Sequence, residues 1–177
     1  MEGEGSLEQV AGRWRLRFVR TLAHPPERVW RALTEPEHLA VWFPTEIHGE
    51  RAAGAALRFV FPGDEGPPIA GQMLVYDPPA VLEFRWGEET LRFQLEPQGA
   101  GCRLTFLNTF DEQGKAARDA AGWHACLDVL AYHLDGGREL PWGPNERWAQ
   151  LHPVYVERFG PEGATVGPPA GHPAATG

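Results

Sequence analysis

Apolar and polar positions alternate along the first half of the chain in the way that strands with one buried face do. Residues 13–22 (RWRLRFVRTL) place every second side chain, from Trp14 to Phe18, on one apolar face, with Arg20 next in line. Residues 56–61 (ALRFVF) and 69–76 (IAGQMLVY) have further strand patterns. The Gly- and Pro-rich sequence PGDEGPP between them predicts a turn or mobile loop. We therefore expect this half of the chain to be mainly sheet.

Three further segments, 81–86, 91–97 and 102–110, predict consecutive antiparallel strands. We place one turn at residues 87–90 and a second at 98–101. The two hairpins that result share the middle strand, and both put the same side of that strand on the apolar face. A one-residue slip would destroy that agreement. The predicted pairs are Trp86 with Leu91, Phe84 with Phe93, Leu82 with Leu95, Leu95 with Leu104, Phe93 with Phe106 and Leu91 with Asn108, while Arg85 would face Arg92.

Helical patterns flank these strands. After His24-Pro25-Pro26, apolar residues recur at helical spacing to about Leu33, and residues 34–37 (TEPE) resemble a capping box for a second short helix ending near Trp42-Phe43. The longest helical pattern covers residues 115–134 and ends at two glycines. Its predicted buried stripe is Trp123, Leu127, Leu130 and Leu134.

Three segments in this order resemble the SRPBCC superfamily, the START-like or birch-pollen-allergen-like proteins. They are HPPERVWRALTEPEHLAVWF (24–43), GQMLVYDPPAVLEFRW (71–86) and GWHACLDVLAYHLDGG (122–137). Within the superfamily, the likeness is to the group named after the activator of the Hsp90 ATPase. Such a fold hosts many functions, among them lipid carriers, cyclases and chaperone cofactors.

The resemblance implies an α+β helix-grip fold, in which a curved antiparallel sheet wraps around a long C-terminal helix. The expected organisation is a flexible lead-in (1–12), a helix-grip domain (13–137), an extension packing on that domain (138–159) with a short helix near 144–150, and a disordered tail (160–177). The chain lacks the separate N-terminal chaperone-binding domain of the eukaryotic activator, so we do not expect chaperone binding.

Composition limits the kinds of partner that we expect this protein to have. The formal net charge of −8, with Lys115 as the only lysine, argues against a nucleic-acid partner, because phosphate recognition relies on clustered Lys and Arg. No apolar run approaches the roughly 20 residues of a membrane-spanning helix, and the polar start is unlike a secretory signal. Two cysteines without CxxC spacing fit a reducing cytoplasm. The abundance of Arg, Ala, Gly and Pro is typical of GC-rich bacteria.

The predicted inner faces are unusually aromatic, and this predicts either a packed core or a cavity for a small apolar or aromatic molecule. The candidate ligand-binding residues are Trp42, Phe43, Phe59, Phe61, Met73, Phe84, Trp86, Phe93, Phe106, Asn108, Trp123, Cys126, Leu127 and Leu130. Asn108 could bind a ligand or satisfy a buried backbone group.

Other candidate chemistry is weaker. His124 and Asp128, four residues apart on a helix, favour a surface pair, although facing a cavity they could act as a general base. Cys102 and Cys126 have no neighbouring cation to activate them. The dispersed histidines show no zinc-ligand spacing, so no metal, cofactor or catalytic residue is predicted.

The sequence therefore favours a binding protein for a hydrophobic ligand over an enzyme. The alternatives are an enzyme of the polyketide cyclase or hydrolase type, or an interaction protein like the chaperone-ATPase activator. Aromatic residues after position 138 leave a homodimer possible, although packing of this segment on its own domain is favoured.

Overall fold

A computed structural model describes residues 3–64, 66–143 and 145–168. One antiparallel sheet contains eight strands in the order β1-β2-β8-β7-β6-β5-β4-β3. The strands are β1 (Ser6–Val10), β2 (Arg13–Leu22), β3 (Glu46–His48), β4 (Ala56–Val60), β5 (Ile69–Asp77), β6 (Val81–Trp86), β7 (Glu89–Gln98) and β8 (Gly101–Phe110). The helices are α1 (Pro26–Thr34), α2 (Pro36–Trp42), α3 (Ala116–Leu134) and α4 (Glu146–Phe159).

The predicted helix-grip fold is confirmed, because α3 packs its apolar stripe on the inner face of this sheet. Phe93 of β7 stacks on Phe106 of β8 with ring centroids 4.7 Å apart, and Trp123 of α3 lies 5.0 Å from Phe106. The stripe residues of α3, from Trp123 to Leu134, are all buried. No helix in the described part of the chain is both long enough and apolar enough to cross a membrane.

The register of the last hairpin is confirmed, whereas that of the preceding hairpin is not. In β7 and β8, Leu95 pairs with Leu104, Phe93 with Phe106 and Leu91 with Asn108, as predicted. In β6 and β7 the turn is shorter than expected, so Phe84 faces Leu91, Leu82 faces Phe93 and Trp86 faces Glu89.

This two-residue shift keeps every side chain on its predicted face, because side-chain direction repeats every two residues along a strand. It also removes the unfavourable pairing of Arg85 with Arg92. Arg92 instead faces Glu83, and its guanidinium lies 2.6 Å from the carboxylate. Gly87, with φ of 65°, accommodates the tighter turn.

The predicted capping box at residues 34–37 is wrong. Thr34 ends α1, and its hydroxyl donates to the Trp30 carbonyl oxygen at 2.8 Å. Glu35 is the extended residue before α2, and no side-chain hydrogen bond caps that helix. Pro36 at the first position of α2 has no N–H, so one of the amides that a cap would satisfy does not exist.

Three segments outside the predicted strands and helices of the domain have regular structure in the described residues. Residues 6–10 of the expected lead-in form β1, which pairs antiparallel with β2. The helix expected near 144–150 is the longer α4, which continues through Pro153 to Phe159 and packs on α3. Of the expected tail, residues 161–164 form a turn of 3-10 helix, and residues 169–177 lie outside the described residues.

A buried polar cluster attaches α4 to the rest of the domain. The Gly5 amide donates to the Tyr155 hydroxyl oxygen at 2.8 Å, and this hydroxyl lies 2.7 Å from Nδ1 of His124 on α3. Nε2 of His124 lies 3.5 Å from an Asp128 carboxylate oxygen, which can only accept. In the neutral ring Nε2 therefore carries the proton, and Nδ1 accepts from the tyrosine O–H. One tyrosine of α4 thus binds both the N-terminal segment and α3.

Replacing Tyr155 with Phe should lower the free energy of unfolding by about 1–3 kcal/mol, because the Gly5 amide and His124 Nδ1 lose their buried partner. Urea unfolding followed by circular dichroism measures this. Tyr132→Phe is the matched control, since it removes an exposed hydroxyl that donates to the Glu139 carbonyl, and it should cost less than about 1 kcal/mol. Equal losses in the two variants would contradict a buried attachment of α4.

Candidate ligand-binding site

The space between the sheet and α3 is filled by side chains. Rings from neighbouring strands and helices contact one another there, for example Phe59 with Phe84 at a centroid distance of 5.4 Å and Phe43 with Trp123 at 5.9 Å. Phe59 and Phe106 are completely buried. This part of the fold is therefore a close-packed core.

A cavity of about 850 Å³ lies on another side of α3, among the α2–β3 connection, the open end of the sheet and the segment leading into α4. Small or apolar residues of α3 form its floor, namely Gly122, Ala125, Cys126 and Val129. Phe61 and Pro44 belong to its wall, and the rim includes Leu140, which is 44% exposed.

Tryptophan is the dominant lining residue. The indoles come from α2, β6, α3, the α3–α4 connection and α4, and they are Trp42, Trp86, Trp123, Trp142 and Trp148. Trp86 and Trp123 meet edge to face with centroids 5.6 Å apart. Large, rigid aromatic surfaces of this kind provide extensive apolar contact at small conformational-entropy cost.

The polar lining residues Glu89 and Asp119, and the indole N–H of Trp123, are paired with groups that lie behind the cavity wall. Trp123 Nε1 donates to the Asn108 side-chain oxygen at 3.1 Å, and the Asn108 amide donates to Glu89 at 2.7 Å. The Lys115 ammonium binds the other Glu89 oxygen and lies 3.2 Å from Asp119. Although burial opposes its charge, the Asp119 and Glu89 carboxylates raise the pKa of Lys115, so the ammonium remains protonated.

The remaining charges near the cavity are also paired. Arg118 Nε lies 2.8 Å from Asp119, and Arg147 Nε lies 2.7 Å from Asp128. Both arginines line the cavity. The cavity thus presents hydrogen-bonding groups without a full unpaired charge.

The structure divides the sequence-predicted ligand-binding residues into two groups. At the cavity lie Trp42, Phe61, Trp86, Trp123 and Cys126. Away from the cavity, in the packed core, lie Phe43, Phe59, Met73, Phe84, Phe93, Phe106, Asn108, Leu127 and Leu130. The second group packs within the protein because the aromatic rings of four strands, together with Phe43 after α2 and Trp123 of α3, fill the space between the sheet and α3.

Sequence reasoning missed much of the actual lining, and one signal could have found it. Residues 122, 125, 126 and 129 have the i, i+3, i+4, i+7 spacing of a helix face. They form a second apolar stripe on α3, beside the stripe that faces the sheet. Small residues on a second apolar face indicate that another segment or a ligand covers it. Trp142 and Trp148 lie after residue 137, the expected end of the helix-grip domain. Only the folding of this segment over α3 brings them to the cavity.

His124 and Asp128 do not form the exposed pair that the sequence favours, nor do they line the cavity. The His124 side chain is 9% exposed, with Nε2 3.5 Å from Asp128. Burial, followed by the nearby guanidinium groups of Arg20 and Arg147, lowers the pKa of His124 to about 4 despite the Asp128 carboxylate. The imidazole is therefore a neutral part of the α4 attachment.

The two thiols are not activated. Burial raises the pKa of Cys102 to about 11 and that of Cys126 to about 12, so both are protonated at neutral pH. Cys126 accordingly contributes apolar surface to the cavity and no nucleophile.

This architecture, an antiparallel sheet gripping one long helix with a cavity beside it, defines the class of helix-grip proteins. The sequence profile of the family described as "Activator of Hsp90 ATPase homolog 1-like protein" matches residues 23–135, and the chain belongs to that family. No curated protein matches the sequence.

Solved structures show the same fold. EF2215 from Enterococcus faecalis, a conserved protein of unknown function, has a TM-score of 0.71 at 23% identity, covering 88% of this chain and 90% of that chain. CalU16 from Micromonospora echinospora has a TM-score of 0.71 at 20% identity, covering 90% and 96%. NE0264 from Nitrosomonas europaea has a TM-score of 0.59 at 26% identity, covering 72% and 97%. At 90% coverage, the likeness to CalU16 includes part of the region after residue 135.

Acidification should lower the free energy of unfolding, because the folded chain opposes protonation of His124. Its pKa is lower in the folded chain than the ordinary value of 6.5, so the unfolded chain binds this proton first as pH falls. The stability that the neutral imidazole contributes is complete above pH 6.5 and is lost progressively toward pH 4. His124→Gln should reduce the fall in unfolding free energy between pH 7 and 4 by about 2–3 kcal/mol.

Chemical unfolding at several pH values measures this slope, independently of the variant's absolute stability. His48→Gln is the control, because His48 pairs with Glu46 at an exposed position and should leave the slope unchanged. An unaltered slope in His124→Gln would show that His124 is not the group responsible.

Proposed function

We propose that this protein is a binding protein that holds an uncharged, hydrophobic or aromatic small molecule in the tryptophan-lined cavity. The observation that carries the proposal is the cavity of about 850 Å³ with indoles from five different parts of the fold on its walls. Ligand sites in proteins typically have volumes of about 300–1,000 Å³ and mainly apolar linings.

The aromatic content of the wall favours a planar ligand. Trp86 and Trp123 are already arranged edge to face, and a flat ring system can stack on or against such surfaces. The floor formed by Gly122 and Ala125 leaves room for such a ring to approach the α3 backbone closely.

The charge arrangement favours an uncharged ligand. The carboxylates of Glu89 and Asp119 are shared with Lys115, and Arg147 is bound to Asp128. A charged ligand would enter a half-buried site without a free counter-charge, and desolvation would then oppose its binding. An uncharged ligand can still exchange hydrogen bonds with the polar wall.

The catalytic alternative has less support. It relies on His124 with Asp128, and these residues lie outside the cavity lining, where His124 is held by Tyr155. Asn108, the polar side chain of the predicted inner face, is completely buried and bound to Trp123 and Glu89.

Filling the cavity tests the proposal. Val129→Trp places an indole on the cavity floor and should weaken binding of the neutral, planar fluorescent probe Nile red by about 10-fold or more, equivalent to about 1.4 kcal/mol. Val41→Trp is the matched control, because Val41 is 48% exposed on α2 and does not line the cavity. Probe fluorescence titration measures both affinities.

The same preparation can be screened by thermal shift and native mass spectrometry against lipids, polyketides and polycyclic aromatic compounds. Ligands that occupy the cavity should raise the melting temperature of wild type and not of Val129→Trp. If Nile red bound wild type and Val129→Trp equally, or did not bind wild type at all, the proposed cavity would not be a ligand site.

A further inference from the structure

The outer face of the sheet, which points away from α3, has a depression of about 490 Å³ over β2, β7 and β8. Four arginines from these three strands line it, and we call this surface the arginine face. They are Arg15, Arg17, Arg92 and Arg103. Side chains alternate along a strand, and the residues next to them, such as Leu16 and Leu91, are buried on the inner face. The depression is therefore separate from the tryptophan-lined cavity.

The strand register sets the spacing of the arginine face. Arg17 of β2 and Arg92 of β7 both pair with Leu107 of β8, one from each side. Their Cα atoms are thus about 10 Å apart, which is twice the distance between neighbouring strands. Arg103 lies four residues before Leu107 on the same face of β8, about 14 Å along the strand. Three arginine positions thus surround a groove that follows β8.

Thr105 and Leu107 form the floor of this groove. Thr105 is only 7% exposed although it points to the outer face, so neighbouring side chains already shield it from water. Arginine stems commonly cover a surface in this way while the guanidinium group stays in solvent. The groove therefore combines a shielded floor with positive groups along its edges.

Two arginines of the arginine face are already paired. Arg15 lies 2.8 Å from Glu8 of β1, and Arg92 lies 2.6 Å from Glu83 of β6. Because both carboxylates come from strands beside the depression, these ion pairs hold the two guanidinium groups at its edges. A guanidinium group has five N–H donors, so each can still donate to a second carboxylate.

The other two arginines, Arg17 and Arg103, form no ion pair or side-chain hydrogen bond within the described part of the chain. Glu96 faces Arg103 in the register, and it is the one carboxylate among the described residues that line the depression. Four guanidinium groups and one carboxylate give this surface a local positive charge, in a chain whose formal net charge is −8.

We propose that the arginine face binds an extended acidic peptide segment of a partner protein, which runs along β8 and places carboxylates on Arg17 and Arg103. Side chains four residues apart on one face of an extended peptide are about 14 Å apart, which is also the spacing between the two ends of the groove. The planar guanidinium group binds a carboxylate through two parallel hydrogen bonds, and this geometry makes arginine well suited to such recognition.

The charge distribution favours a short peptide over a larger polyanion. A nucleic acid or an anionic membrane extends well beyond the arginine face and would meet the negative charge of the rest of the chain. An extended peptide of seven residues is only about 24 Å long and interacts mainly with the arginine face. The local positive charge can therefore attract such a peptide despite the net negative charge of the protein.

Fluorescence anisotropy of a labelled seven-residue peptide, with glutamate at every second position and threonine between, tests the proposal. We expect saturable binding to the full chain at low salt. Binding should weaken about 10-fold between about 20 and about 200 mM NaCl, because salt screens exposed charge pairs. The same peptide with glutamine in place of glutamate should not bind.

Substitutions locate the binding surface. Arg17→Gln should weaken binding of the glutamate peptide by about 5-fold, and Arg17→Gln combined with Arg103→Gln by about 20-fold. Arg58→Gln is the matched control, because Arg58 is exposed on β4 outside the depression and its replacement removes the same charge. This control should change the affinity by less than about 2-fold.

The proposal is independent of the ligand cavity, so Val129→Trp should bind the glutamate peptide like wild type. Circular dichroism shows that each variant is folded. Failure of wild type to bind the peptide, or equal losses in Arg17→Gln and Arg58→Gln, would overturn the proposal. Tighter binding of a labelled oligonucleotide of the same charge would also overturn it, since the arginine face would then favour nucleic acid.

Discussion

The contact between the inner face of the sheet and one stripe of α3 is the interaction on which the rest of the structure depends. Phe93, Phe106 and Trp123 join β7, β8 and α3 through ring distances of 4.7 and 5.0 Å. Their burial stabilises the fold by removing large apolar surfaces from water. Because this contact sets the position of α3 over the sheet, it also determines where the other faces of the helix lie.

Close packing at this contact explains the location of the cavity. The aromatic rings fill the grip itself, so the unfilled volume lies where α3 presents Gly122, Ala125 and Val129 to a different set of elements. The chain after residue 135 returns over that face as the α3–α4 connection and α4. One stripe of α3 thus faces the core and a second stripe faces the cavity. Trp123 contacts the core and also lines the cavity.

Three polar side chains along α3 are stabilised in different ways. Near its start, Lys115 is shared by two carboxylates in the cavity wall. In its middle, His124 is neutral and bound by Tyr155 under α4. In its last turn, His133 remains accessible and meets His38. Burial and the available partners thus decide the state in which each of these groups is held.

The sequence alone determined most of the elements and their inner faces. Alternation in β2, β7 and β8 and the stripe from Trp123 to Leu134 predicted three strands and the long helix, because two-residue and helical periods are local properties of the chain. The helix-grip arrangement of these elements was implied by the resemblance of three segments to a known superfamily. The β6–β7 register was missed by two residues, since both registers place the same residues inside. Local pattern likewise found that aromatic residues would be buried.

Only the tertiary structure decided which buried aromatic residues pack together and which line a cavity. Phe84 and Trp86 belong to the same strand and the same apolar pattern, yet they differ in surroundings. Phe84 is enclosed in the core by the rings of Phe43, Phe59 and Phe93, whereas Trp86 lines the cavity and meets Trp123 of α3 edge to face. Trp142 and Trp148 reach the cavity through packing of α4 on α3, and His133 reaches His38 through packing of α2 on α3. Such contacts depend on how the elements meet in space, and no spacing along the chain records them.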